Sequence, residues 1–119
     1  IFVMHSESPI ARPTAFTCIR KTLREVFHQV ETLYPFIQMY GTLWSICLSS
    51  DTLKPTKIVP EMINNRIEEL GLKDLHLITG ESIKGMAIEY PYLSEILKGP
   101  ASIITDSAPD FPDAFMQEA

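Results

Sequence analysis

The first ten residues, IFVMHSESPI, constrain this chain more than any other stretch. Residues 1–4 are apolar without alternation, a pattern typical of a strand that is buried on both faces of a sheet. His5, Ser6, Glu7 and Ser8 follow at once, and ligands of α/β sheets bind just beyond the carboxyl ends of strands. The stretch therefore predicts a strand-end site with an imidazole, a carboxylate and two hydroxyls. The alternative is an ordinary solvated loop, in which serine and proline are common.

The position of this strand carries a second expectation. A strand that is buried on both faces needs neighbouring strands on both sides, and the chain begins with it. We therefore expect that other strands precede it, and that this chain is the C-terminal part of a longer protein.

Composition excludes several classes of protein. The chain has 119 residues, of which 45% are hydrophobic, which is enough for the core of one domain. The net charge is −5 and no basic run occurs, so a nucleic-acid partner is not expected. No apolar run approaches the roughly 20 residues of a membrane helix, and no secretory leader is present, so we predict a cytoplasmic protein without a membrane partner. Cys18 and Cys47 lack metal-ligand spacing and are expected to be buried thiols in a reducing compartment.

Hydrophobic periodicity predicts the elements of the first half. Apolar residues at intervals of three and four predict a helix over about residues 14–31, with its charged residues on the solvent face. Strands are expected over 36–40 and 43–49, and the short separation allows them to form an antiparallel pair. On spacing alone, Trp44 is expected to pack in the core.

The second half is predicted to consist of short elements after a surface connector. These are a helix that begins at Pro60 and stops at Gly71, a strand over 75–78, a helix over 82–89, helical turns over 92–97 and a brief strand over 102–104. The tail from Asp106 is acidic and contains proline, so we expect it to be mobile.

No dinucleotide, Walker, HExxH or CxxC motif occurs, but two short motifs carry a resemblance. HSES, residues 5–8, resembles the Gln- or His-x-Glu-Ser/Cys pattern that ends a strand beside the amine substrate in the polyamine aminopropyltransferase (spermidine synthase) family. YGTLWS, residues 40–45, is similar to that family's aromatic-Gly-x-x-Trp or Tyr-Pro-Ser-Gly segment between its last two strands. Residues 57–91 resemble a C-terminal extension of some archaeal members.

The resemblance implies a fold class and a division of the chain. The expected fold is the C-terminal part of a methyltransferase-like, Rossmann-like doubly wound α/β sheet with an antiparallel last strand. Residues 1–50 would supply the fifth, sixth and seventh strands of that catalytic domain. Residues 51–119 would form a small α+β C-terminal extension with an acidic tail.

The resemblance also implies a function and four substrate-binding residues. The family transfers an aminopropyl group from decarboxylated S-adenosylmethionine, a co-substrate and not a prosthetic group, to a primary amine such as putrescine. Glu7 would contact the amine, with His5 as a hydrogen-bonding partner. Tyr40 would form a hydrogen bond with the far end of the amine, and Trp44 would line the pocket. The main catalytic base would lie upstream, so this segment is expected to be inactive by itself. The structural alternative is that His5 caps the strand, that Glu7 is solvated, and that both aromatic residues are core.

Two other interpretations stay open. The chain can belong to another methyltransferase-like protein with a different acceptor, or it can be a stand-alone interaction module that pairs through exposed strand edges. The expected protein partner is a second copy in a homo-oligomer, or the missing N-terminal half.

Overall fold

The computed structural model describes residues 1–112, which form one small sheet, a hairpin and four α-helices. In chain order the elements are β1 Phe2–His5, α1 Pro13–Val26, β2 Gln29–Leu33, β3 Phe36–Ile37, β4 Thr42–Leu43, β5 Ile46–Ser50, α2 Pro60–Glu69, α3 Gly80–Met86 and α4 Pro91–Leu97. Single turns of 3-10 helix lie at Gln38–Tyr40 and Pro55–Lys57.

The sheet has the strand order β1-β5-β2, and β5 is antiparallel to both neighbours. It follows that β1 and β2 run parallel to each other with β5 between them. Cys47 of β5 lies opposite Met4 on one side and Thr32 on the other. The last strand is therefore the antiparallel one, as the resemblance implied.

Helix α1 covers one face of this sheet. Pro13 at its first turn has no N–H to leave unbonded, which is why proline is favoured there. Leu23 of the helix packs with Val30 and Cys47 of the strands. Three partly buried hydrophobic residues complete this cluster: Met4, Ile19 and Phe27.

A second hydrophobic cluster joins the two halves of the chain. Phe16 of α1, Tyr34 after β2 and Leu93 of α4 are all buried and pack together. Leu43 of β4 packs against them from the side. The division after residue 50 stays a prediction, and residues from both sides of it share this cluster.

Helices α2 and α3 meet closely at their N-termini. The Gly80 N–H donates to Asn64 Oδ1 at 2.7 Å, and a Cβ at Gly80 would collide with the backbone of Pro60. Thr79 caps α3, since its hydroxyl accepts from the Ser82 N–H at 3.0 Å. A glycine is therefore required where the two helices touch.

The helix predicted over about residues 14–31 is too long, because its last residues belong to strand β2 in the structure. Helix α1 ends at Val26, because Phe27 is extended (φ −115°, ψ 139°) and leads into β2. Val30 lies four residues after Val26, so it fits a helical period as well as the alternating burial it has in β2. The strand expected over 36–40 consists of two residues and a 3-10 turn.

The strand predicted over 43–49 is also interrupted. Strand β4 ends at Leu43, the Trp44 N–H donates to the Pro35 carbonyl at 2.8 Å, and β5 begins at Ile46. The antiparallel pairing is confirmed in a shorter form, since Phe36 pairs with Leu43 in a hairpin of β3 and β4.

In the second half, the helices predicted after Pro60 and over 92–97 are confirmed. The middle helix, predicted over 82–89, spans Gly80–Met86, so it begins two residues earlier and ends three residues earlier than expected. The strands predicted over 75–78 and 102–104 are wrong, since residues 1–112 contain no strand there. Leu75 and Leu77 alternate as a strand would, yet both are exposed, and no strand in the described part of the chain pairs with them to supply hydrogen bonds. Of the tail predicted to be mobile, residues 113–119 lie outside the described part.

Strand β1 is an edge strand in this chain and is not buried on both faces as predicted. Ile1, Phe2 and Val3 are 68%, 46% and 56% exposed. The reason is that β1 pairs with β5 along one edge, and among the described strands none pairs with the other edge.

Candidate functional site

The chain turns sharply where β1 ends. Glu7 has φ of 71°, a left-handed conformation that is uncommon for residues other than glycine. Ser6 and Ser8 on either side of it are buried. The turn therefore directs the two serines inward and leaves the Glu7 side chain partly exposed.

A chain of hydrogen bonds holds this turn. The Ser45 hydroxyl donates to the Glu7 carbonyl at 2.6 Å, and the Ser6 and Ser45 hydroxyl oxygens are 2.6 Å apart. Since a hydroxyl has one proton, Ser6 donates to Ser45 and accepts from the Cys47 thiol at 3.2 Å. These hydrogen bonds hold the backbone in its left-handed conformation at Glu7.

The buried Ser8 side chain also forms hydrogen bonds within the protein. Its Oγ lies 3.0 Å from Thr42 Oγ1 and accepts the Ala11 N–H at 3.0 Å. The two hydroxyls predicted for the strand-end site are thus occupied in joining β1 to β4, β5 and the loop before α1. The imidazole and the carboxylate remain as the groups that reach the surface.

Three of the four predicted site residues form one aromatic cluster. Trp44 Nε1–H donates to His5 Nδ1 at 2.7 Å, and the two ring centroids are 6.1 Å apart. The Tyr40 ring also lies against Trp44, with centroids 4.8 Å apart. Because Nδ1 of His5 accepts a hydrogen bond, a neutral His5 carries its proton on Nε2.

The β3–β4 hairpin presents these aromatic residues. Tyr40 is the last residue of the 3-10 turn. Gly41 follows with φ of 64°, a conformation that glycine adopts without strain. Trp44 comes directly after β4 and is only partly buried. It belongs to neither hydrophobic cluster, so the core position predicted from its spacing is wrong.

Glu7 lies on the same strand end as this cluster. Its backbone carbonyl is bonded to Ser45, the neighbour of Trp44. Its carboxylate accepts a long bond of 3.4 Å from the Ser8 N–H, and no cation of the described residues pairs with it. A carboxylate next to exposed aromatic rings can bind an alkylammonium ion through charge and cation–π contacts.

Sequence reasoning missed a partly buried ionic cluster that joins α1 to Tyr34 and Glu89. Arg20 Nη1 donates to the Tyr34 hydroxyl at 3.0 Å and to Glu89 Oε2 at 2.9 Å, and the Tyr34 hydroxyl donates to the same carboxylate oxygen at 2.8 Å. Arg20 is 7% exposed, although it was predicted to lie on the solvent face. The available signal was its spacing, since residues 16, 20, 23 and 27 share one face of a helix.

This cluster changes the ionisation of its members. Burial tends to raise the pKa of Glu89, but the hydrogen bond and charge of Arg20 outweigh it and hold the pKa below its usual value. Burial raises the pKa of Tyr34 well above its usual value. Burial opposes the charge of Arg20, but the Tyr34 and Glu89 contacts still raise its pKa. All three groups keep their ordinary charge at neutral pH.

Among the residues the structure describes, no group of three or more histidine, cysteine or acidic side chains can hold a metal ion. Cys18 and Cys47 are both buried and unpaired by disulfide, which confirms their predicted burial. In the same part of the chain, no helix is both long and apolar enough to cross a membrane.

Sequence comparison places the chain among known proteins, although no protein-family model matches it. A polyamine aminopropyltransferase of Nitrosomonas europaea is 30% identical over 106 residues, which are 89% of this chain and 33% of that protein. One of Sulfurisphaera tokodaii is 28% identical over 107 residues, which are 90% of this chain and 36% of that protein. The chain is similar to a segment of the polyamine aminopropyltransferases. It spans about a third of the length of these curated relatives.

Comparison of structures supports the same aminopropyltransferase assignment at the level of fold. The spermidine synthase of Thermotoga maritima matches with a TM-score of 0.70 at 19% identity, over 82% of this chain and 33% of that one. The predicted methyltransferase-like fold is thereby confirmed, and the sequence relatives support the predicted family. The roles of His5, Glu7, Tyr40 and Trp44 stay predictions, which the comparisons do not test.

Proposed function

We propose that the protein containing this chain transfers an aminopropyl group from decarboxylated S-adenosylmethionine to a primary amine such as putrescine. This chain contributes part of the amine site, and the nucleoside half and the main base come from the remainder of the protein. The observation that carries the proposal is the surface cluster of His5, Tyr40 and Trp44, at the same strand end as Glu7, whose backbone carbonyl accepts a hydrogen bond from Ser45, the neighbour of Trp44.

The chemistry of an alkylamine fits this cluster. A free alkylamine has a pKa of about 10, so it arrives as a cation and must lose a proton before it attacks. Glu7 has the charge to attract the ammonium group, and the faces of Tyr40 and Trp44 suit its methylenes. The Trp44 N–H fixes His5 with a donor at Nε2, so His5 is suited to orienting Glu7 or a water and not to accepting the proton through Nδ1.

The co-substrate and the partners follow from the same proposal. Decarboxylated S-adenosylmethionine is bound by the remainder of the protein and serves as a co-substrate, so no prosthetic group is required. We further propose a cytoplasmic location and self-association of the complete protein.

A substitution at Glu7 tests the amine site in the complete protein. Glu7→Gln keeps the shape of the side chain and removes its charge, so we expect the KM for putrescine to rise about tenfold, the value of one charge-assisted hydrogen bond. The KM for decarboxylated S-adenosylmethionine should stay the same. Glu61→Gln is the matched control, because Glu61 is exposed on α2.

The outcomes separate the site from the function. An unchanged KM for putrescine in Glu7→Gln would remove Glu7 from the amine site while leaving the reaction intact. Absence of aminopropyl transfer by the complete wild-type protein, with putrescine, agmatine or spermidine as acceptor, would overturn the proposed function itself.

A second candidate function is supported by the edge of β1. Its exposed apolar residues, together with a backbone edge that no strand of the described residues pairs with, form a surface that another strand can extend. If this chain acts as an interaction module, its native mass should equal that of the 119 residues, and it should form complexes through β1. A native mass about three times larger, measured by intact mass spectrometry, would favour the transferase.

A further inference from the structure

A basic cavity lies on α1, away from the aromatic cluster. It has a volume of about 280 Å³ and is bounded by α1 on one side and by residues 97–101 on the other. Arg20, Lys21 and Arg24 line it together with Thr17. Among the described residues that line it there is no carboxylate.

The charge at this cavity is high for the chain that contains it. The whole sequence has a net charge of −5 and only 10 lysine and arginine residues, yet three of those cations line this one cavity. Arg20 and Arg24 are four residues apart on a helix, where like charges repel each other. Glu89 pairs with Arg20 and its charge also interacts with Arg24, but one carboxylate balances only one of the three positive charges.

A buried side chain also forms part of the lining of this cavity. The Arg20 side chain is buried, and its Nε–H has no hydrogen-bond partner among the described residues. A buried donor without an acceptor costs free energy, and an oxyanion that accepted from the Arg20 guanidinium would offset that cost. At the other wall, Lys21 Nζ donates to the Ala101 carbonyl at 3.0 Å and is thereby held over the cavity.

We propose that this cavity binds a small phosphate-type oxyanion, either free phosphate or the phosphate group of a monoester. Arginine and lysine side chains that converge on one point are the groups by which proteins hold phosphate. The volume is just below the range of pockets for drug-sized ligands, about 300–1,000 Å³, so a phosphate group fits and a large ligand does not. The site is separate from the amine site and does not depend on the proposed transferase activity.

Isothermal titration calorimetry with inorganic phosphate tests this site in the purified protein, at neutral pH and at constant ionic strength set with potassium chloride. We expect saturable binding by the wild type. Arg24→Gln should weaken it about tenfold through the loss of one charge-assisted hydrogen bond. Lys73→Gln removes an exposed cation outside the cavity and should change the dissociation constant by less than about twofold.

Each result bears on the proposal. No saturable binding by the wild type, or equal weakening by Arg24→Gln and Lys73→Gln, overturns it. A parallel titration with ribose 5-phosphate distinguishes the two sources: tighter binding of the ester assigns the site to a phosphate monoester, and tighter binding of the inorganic ion assigns it to free phosphate. Circular dichroism of both variants checks that the fold is retained.

Discussion

Replacement of Glu89 by glutamine is the sharpest test of how the second half of the chain is held to the first. The carboxylate accepts from Arg20 at 2.9 Å and from Tyr34 at 2.8 Å. Glutamine keeps the volume but removes the charge, so both donors lose a charged acceptor. A hydrogen bond to a charged group is worth about 1.5–3 kcal/mol.

The expected magnitude follows from burial. The Arg20 side chain is 8% exposed and the Glu89 side chain 35%, so solvent screens the pair on one side and the full cost of breaking a buried pair does not apply. We expect Glu89→Gln to lower the free energy of unfolding by about 2 kcal/mol, which corresponds to a fall in Tm of about 8 °C for a chain of this size. Urea unfolding followed by circular dichroism measures it.

The pH dependence gives an independent check. The pKa of Glu89 is lower in the folded protein than in the unfolded chain, so its ionised form stabilises the fold. This stabilisation is complete above the unfolded pKa and is lost as pH falls through the folded pKa. The free energy of unfolding should therefore differ most between wild type and Glu89→Gln at neutral pH, and this difference should shrink on acidification below about pH 4.5.

A control separates this pair from ordinary surface pairs. Glu95 pairs with Lys98, and both side chains are more than 70% exposed, so Glu95→Gln should cost less than about 0.5 kcal/mol. If Glu89→Gln costs no more than Glu95→Gln, or if its cost does not change with pH, the reasoning about this ionic cluster is refuted.

Three further predictions follow from the fold. The raised pKa of Tyr34 contributes stability below the unfolded pKa of about 10, so the free energy of unfolding should fall as pH rises above about 10, and an unchanged value there would contradict the burial argument. Gly80→Ala should destabilise the protein by about 1–3 kcal/mol, because the new methyl group meets backbone, whereas Gly85→Ala, which meets open space, should stabilise it by up to about 1 kcal/mol. Leu93→Ala should cost about 2–5 kcal/mol and should also change the fluorescence of Trp44, the only tryptophan. Unchanged fluorescence in the folded variant would show that the cluster does not support the hairpin.

The sequence predicted those elements that depend on local signals. Pro13 and Pro60 begin helices at the first turn, and Gly71 follows the end of α2 with φ of 64°. Strand β2 was missed because its alternation of Val30 and Thr32 overlaps a helical period and is decided only by pairing with β5. Such pairing is a tertiary effect, which overrides local preference.

The candidate site divides in the same way. His5, Tyr40 and Trp44 were selected by two motifs 35 residues apart in the sequence, counted from His5 to Tyr40, and the structure brings their rings together. Arg20 was assigned to solvent, because the partner that accounts for its burial, Glu89, lies 69 residues further along the chain. A local pattern does not contain that information.

The aromatic cluster depends on the second half of the chain although no residue of that half belongs to it. Leu43 precedes Trp44 and packs against the cluster that contains Leu93 of α4. The Tyr34 N–H donates to the Met86 carbonyl at 2.7 Å, at the point where the chain leaves β2 for the hairpin. Both ends of the β3–β4 hairpin are therefore attached to residues beyond 80. Residues after α2 thus serve to position the hairpin that carries Tyr40 and Trp44, so a change in α4 should alter the candidate amine site without touching the amine.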